Sequence, residues 1–173
     1  DLKKLLYLNI TYNHFMEVPE CIGRLSSLLE LRAYNNNITS LSPSLGALKQ
    51  LKELHMMNNQ IVHLPHEIGE LSSLQKLTLE NNKLKELPET IGRLEHLTDL
   101  DLRSNSLQSV PRSLVGLRSL RFLDLRANCL LSLPDAILAL PNLEKLDIRF
   151  NKDLTPPPWL EQLKERGCLV YHH

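Results

Sequence analysis

Apolar residues recur along this chain in a fixed frame. In residues 74–96, LQKLTLENNKLKELPETIGRLEH, Leu74, Leu77 and Leu79 alternate around Lys76 and Thr78, and Leu84, Leu87, Ile91 and Leu94 follow at wider steps. Period-two alternation predicts a short strand with one face buried and one wet. Pro88 presets its own φ for the first turn of a short helical or 3₁₀ passage, with Ile91 and Leu94 facing inward. The same frame returns every 23 residues, as Asn13, Asn36, Asn59, Asn82, Asn105, Asn128 and Asn151 mark. So strict a period predicts a solenoid, with successive strands in a parallel ladder about 4.8 Å apart. Seven such strands make a narrow sheet. A strand on one side and a tighter turn on the other differ in width, so the stack bends and the strands line its concave face.

Each of these asparagines stands where the chain leaves a strand. Its amide can give and accept hydrogen bonds from backbone groups that the turn would otherwise bury unpaired. Stacked in register, the seven form a ladder with a structural role.

Written out, the frame is L-x-x-L-x-L-x-x-N-x-L-x-x-L-P-x-x-I-G-x-L, and it covers the chain from about Leu5 to Leu154. This resembles the leucine-rich repeat family, in the 23-residue class of intracellular proteins such as the Ras-group-related, erbin and scribble-type families and their bacterial relatives. The resemblance implies an α/β fold: a right-handed curved solenoid with a parallel β-sheet on the concave face, short 3₁₀ or α segments on the convex face, and a helical C-terminal cap. The closing string WLEQLKERGCLVY is similar to the end of many bacterial members and points to a bacterial source.

The expected organisation is a solenoid over residues 1–154, a cap over 155–171, and His172 and His173 as the start of a purification tag. Only Asp1 to Lys4 precede the first copy, too few to cover its open face, so further cover upstream is expected. In the second copy Ala33 takes a strand position usually given to leucine, and Ser42-Pro43 shifts the proline by one. Gly116 falls one position late, and Leu138 replaces the glycine of its copy. After Leu154, three prolines stop any strand. Pro158 opens a helix whose apolar side is Trp159, Leu160 and Leu163 and whose terminator is Gly167. Residues 168–171 then add a last short strand or pack under that helix.

Charge narrows the partners. Twenty basic residues balance twenty acidic ones, so no overall field draws the chain to nucleic acid or anionic lipid. No run of 18 apolar residues offers a membrane span. Cys21, Cys129 and Cys168 are odd in number, far apart and without a C-x-x-C pair, which favours a reducing, cytoplasmic compartment. A chain that starts at Asp1 still leaves room for a removed signal and a secreted protein.

Function must lie on side chains that the repeat does not consume: the third, fifth, seventh and eighth positions of each copy. In the N-terminal half these bring Tyr7, Tyr12, Tyr34, His55 and Met57 together, with Arg32, Asn35 and Asn58 around them and Glu80 and Arg103 beyond. Tyrosine and methionine among amides have the composition of a protein-binding hot spot. In the C-terminal half Asp101, Asp124 and Asp147 form a column beside Arg103, Arg126 and Arg149, a self-neutralising ladder or a docking strip for a charged partner. The arginines disfavour a calcium row. His55, His63 and His66 share one copy without converging, so no metal site is expected. No Ser/His/Asp or Cys/His spacing and no phosphate-binding glycine loop suggests catalysis or a cofactor. The chain therefore reads as a non-catalytic recognition module, monomeric, that binds a protein or peptide on its concave face, with edge association possible through its first repeat. Two alternatives are the substrate-selecting part of a larger signalling enzyme or bacterial effector, and a secreted or surface ligand-binding protein.

Overall fold

A computed structural model of the chain describes residues 2–172, so Asp1 and His173, the latter half of the dipeptide read as a tag, lie outside it. Three-residue strands recur once per copy: β1 (Tyr7–Asn9), β2 (Glu30–Arg32), β3 (Glu53–His55), β4 (Lys76–Thr78), β5 (Asp99–Asp101), β6 (Phe122–Asp124) and β7 (Lys145–Asp147). They pair in parallel in chain order, with Leu8 opposite Leu31, Leu31 opposite Leu54 and so on through Leu146. Period-two alternation sends those central leucines inward. Leu31, Leu54, Leu77 and Leu146 are completely buried, while the residues on either side face the open side of the sheet. Ala33 and Met56, at equivalent positions in adjoining copies, are both fully buried as well.

The sheet has eight strands, seven from the repeats and an eighth from the last residues, the first of the two outcomes expected for 168–171. After α1 (Leu160–Glu165), Gly167 adopts φ +88°, and the reversed chain lays β8 (Leu169–Tyr171) parallel to β7. Helix α1 starts later than Pro158: Trp159 is its N-cap, and Leu160 and Leu163 turn into the core. Arg166 donates to the carbonyls of Leu138 and, at 2.9 Å, Leu140, satisfying backbone acceptors at this end of the stack.

Opposite the sheet run 3₁₀ turns: Glu20–Arg24, Pro43–Ala47, His66–Glu70, Glu89–Arg93, Arg112–Gly116 and the shorter Asp135–Ile137. The proline does not open the first helical turn, as the sequence suggested. Pro88 lies just ahead of it as N-cap, with φ −67° but an extended ψ of 146°, and its carbonyl accepts from the Ile91 N–H at 3.0 Å. In the second copy Ser42 takes that place, its hydroxyl accepting from the Ser44 N–H at 3.2 Å, and Pro43 moves to the first helical position, which needs no N–H. Successive turns touch so closely that a Cβ on Gly92 would sit 2.1 Å from the Ser113 carbonyl oxygen.

Between strand and turn stands the asparagine spine. Asn82 donates to the carbonyls of Leu79 and of Met56 one copy back, each at 3.0 Å, and its Oδ1 accepts from the Ile61 N–H at 3.0 Å. One amide thus satisfies three buried backbone groups across two copies. Just before it, the eighth residue of each copy is left-handed: Tyr12, Asn35, Asn58, Asn81, Ser104, Ala127 and Phe150 have φ between 51° and 61°. None of the described helices is long and apolar enough to cross a membrane.

Candidate recognition face

The sheet face divides into two regions of different chemistry. On β1 to β3 and their exits, Tyr7 is 62% and Tyr12 77% exposed, and Tyr12 meets Tyr34 edge to face with ring centroids 5.9 Å apart. The left-handed exits turn their side chains into line, so Asn81 donates to Asn58 at 2.8 Å and Asn58 to Asn35 at 2.7 Å. Arg32 pairs with Glu30. His55 and Met57 are less free than their columns suggested. The His55 ring lies 2.9 Å from Glu53 through Nε2 and 3.0 Å from Thr78 Oγ1 through Nδ1, and that hydroxyl is 3.6 Å from the Met57 sulfur.

His63 and His66 do not join His55; His63 lies 3.7 Å from Glu86 instead. The sequence reading missed a different cluster, since it weighed histidines against one another only. Glu30 and Glu53 are cross-strand neighbours, and with His55 they bring three ligand-type atoms within 4.8 Å of one another. Two carboxylates and an imidazole suit a divalent transition ion. Here Arg32 already bridges Glu30, and the hydrogen bond from His55 holds the Glu53 carboxyl below its usual range against burial.

The second region begins with two of the ten candidate residues. Arg103 reaches back to Glu80 at 2.7 Å and holds Asp101 at 3.1 Å. Arg126 grips both oxygens of Asp124, closest at 2.6 Å, and Arg149 pairs with Asp147 at 2.7 Å. Columns therefore neutralise within copies, and Arg126 also reaches Asp147 at 3.4 Å. Asp147 departs from the wet position assigned to it, because β8 places Tyr171 beside it and leaves its side chain fully buried. Although that burial raises its pKa, the bonds from Arg149 and the charges of Arg126 and Arg149 hold it below the usual carboxylate range. Asp101 is the opposite case: burial pushes it up to about 6, and the negative charges of Asp124 and Glu80 add to the rise against the pull of Arg103. Beside it the sheet face dips into a depression of about 250 Å³ spanning β4 to β7.

A parallel sheet backed by 3₁₀ turns and tied by an asparagine spine defines a solenoid whose free surface is one broad face. Family models described as leucine-rich repeat match residues 1–82, 73–130 and 142–163, and the chain belongs to the leucine-rich repeat family. A leucine-rich repeat protein of Leptospira interrogans is 31% identical, with a TM-score of 0.86 over 99% of this chain and 50% of its own. An internalin of Listeria monocytogenes is 26% identical, with a TM-score of 0.82 over 98% of this chain and 48% of its own. The leucine-rich repeat ectodomain of an Arabidopsis thaliana receptor kinase, in complex with Casparian strip integrity factor 2, is 31% identical, with a TM-score of 0.78 over 86% of this chain and 19% of its own. The chain thus spans half or less of these structures. A comparison with curated protein sequences returns no match.

Proposed function

We propose that this chain is a non-catalytic recognition module that binds a protein or peptide on its sheet face, anchored by Tyr7, Tyr12, Tyr34 and Met57 and bordered by Arg32, Asn35, His55 and Asn58. The carrying observation is the exposure of Tyr12 at 77% beside its edge-on partner Tyr34. Rigid aromatic surface left in water among hydrogen-bonding amides is what interface centres use. Glu80 and Arg103, already paired, form the rim.

The test is an affinity measurement with a partner captured on the chain. Tyr34→Ala and Met57→Ala should each weaken it by about 1 kcal/mol or more. Unchanged affinity in both variants removes the assignment.

A second reading makes this module the substrate-selecting part of a longer signalling protein. It draws on the Arabidopsis comparison, in which a related repeat array is the ectodomain of a receptor kinase. We further read the chain as a bacterial, cytoplasmic member of the 23-residue class, supported by the Leptospira and Listeria matches and by the free thiols of Cys21, Cys129 and Cys168. Residues 155–171 serve it as a lid on an otherwise monomeric stack, whose free edge at β1 is where copies would pair.

A further inference from the structure

Glu30 and Glu53 stand opposite one another on β2 and β3, and the same register sets Arg32 opposite His55. Like charges directly across a sheet repel. In the other acidic column Asp101, Asp124 and Asp147 are each followed two residues on by an arginine that neutralises them, as Arg32 follows Glu30. Glu53 breaks this rule. His55 follows it, and an imidazole, unlike a guanidinium, can offer a lone pair. We infer that Glu30, Glu53 and His55 form a binding site for a divalent transition ion of the zinc class, on the wet side of β2 and β3.

Two hydrogen bonds aim the imidazole. The Thr78 hydroxyl donates to the Met57 sulfur at 3.6 Å, so its oxygen is left to accept from His55 Nδ1 at 3.0 Å. That arrangement puts the proton of a neutral ring on Nδ1 and turns the lone pair of Nε2 towards the two carboxylates, 2.9 Å from Glu53 and 3.7 Å from Glu30. Three electron-rich atoms facing one another call for a cation between them. Ligand atoms of a tetrahedral zinc stand roughly 3.3 Å apart, and these three already lie within 4.8 Å of one another. A hydrogen bond on the far ring nitrogen is what holds a metal-bound histidine in orientation. The His55 and Glu30 side chains are only 13% and 16% exposed, which limits competition from water. The Arg32 side chain is 48% exposed and swings into water when the ion takes its place on Glu30. Lys76, opposite Glu53 on β4, opposes the ion only at longer range. The chain supplies three ligands, and the fourth position opens on the sheet face, to water or to a donor from whatever binds there.

The experiment titrates the whole chain with Zn²⁺ by calorimetry and with Co²⁺ by visible absorption, which reports the coordination geometry. One ion should bind per chain. Glu30→Gln and His55→Gln should each weaken it by about a hundredfold or more, and Thr78→Val, which keeps the shape and frees Nδ1, by about tenfold. Arg32→Ala removes the competitor for Glu30 and should tighten binding, a gain that misfolding does not imitate. Affinity unchanged in both glutamine variants means an adventitious ion only, held by other histidines, and overturns the site. A chain that binds neither ion, or an Arg32→Ala variant that binds no more tightly, overturns it as well.

Discussion

The two ends of the sheet face share a backbone and differ in how they treat polar side chains. On β5 to β7 Asp101, Asp124 and Asp147 each have an arginine two residues on, and these pairs close on themselves at 2.6 to 3.1 Å. On β1 to β3 tyrosines stand in water and amides run across copies as a chain from Asn35 to Asn81. The two part-exposed pairs, of Asp101 and Asp124, add little stability, whereas that of Asp147 is buried; all three cover the sheet with satisfied charge. Exposed tyrosines do neither, and the recognition proposed above rests on them. The contrast teaches that charge alone does not mark a binding surface here: the columns pair within themselves, whereas the tyrosine patch leaves rigid aromatic surface in water.

That reading treats the interior of both halves as one. The sharpest way to break it is to cut the spine in each. Asn59→Ala and Asn128→Ala both strip partners from buried backbone groups, the first from Ala33, Met56 and Ile38, the second from Leu102, Leu125 and Leu107. At about 1–3 kcal/mol for each orphaned group, either change should cost at least about 3 kcal/mol in urea unfolding. Equal losses support a uniform scaffold; a loss confined to one half means that the halves differ inside as well as outside.

Within the aspartate column, two members should respond to pH with opposite sign. Asp147 is held below its usual pKa, so its contribution is present above the unfolded value near 4 and is lost as the pH falls further. Asp147→Ala leaves Arg149 without its carboxylate and should cost about 3 kcal/mol at pH 7, as breaking a buried pair does. Asp101 is raised from 3.8 to about 6, so between those values the folded chain keeps a proton that the unfolded chain has released. Stability must then fall as pH rises through that window, by roughly 3 kcal/mol. Asp101→Asn should recover that amount at pH 7 and flatten the fall. Thermal unfolding of the three chains from pH 3 to pH 7 checks both signs.

Much of this was legible in the sequence because a 23-residue period writes the same physics many times. Leucine alternation gave the strands and their register, and the position of the asparagine gave the spine. What stayed hidden depends on distances between copies or on the end of the stack. The cluster of Glu30, Glu53 and His55 joins two copies through their third and fifth positions, so no local motif announces it. Asp147 looks like Asp101 and Asp124 in sequence and is buried only because β8 follows it, a strand the repeat does not encode. The tyrosine patch was nameable as residues, yet the network that occupies His55 and Met57 through Thr78 was not.

The smallest effect tests the strand exits, where the halves differ for a backbone reason that the sequence did not announce. The eighth residue of each copy must be left-handed, which costs an ordinary residue about 1–2 kcal/mol and asparagine less, because its short polar side chain bonds locally. Asn35, Asn58 and Asn81 meet that demand in the first half and gain their side-chain chain from it, whereas Ala127 meets it with no such bond. Ala127→Gly should therefore stabilise the chain by about 0.5 kcal/mol, relief of the left-handed cost outweighing the entropy of the added glycine. Asn58→Gly should instead destabilise by a similar amount, since it loses the bonds to Asn35 and Asn81 while relieving little strain. Urea midpoints that move the same way for both changes would mean that the asparagines are there for the backbone alone, and the amide chain on the recognition face would lose its claim to rigidity.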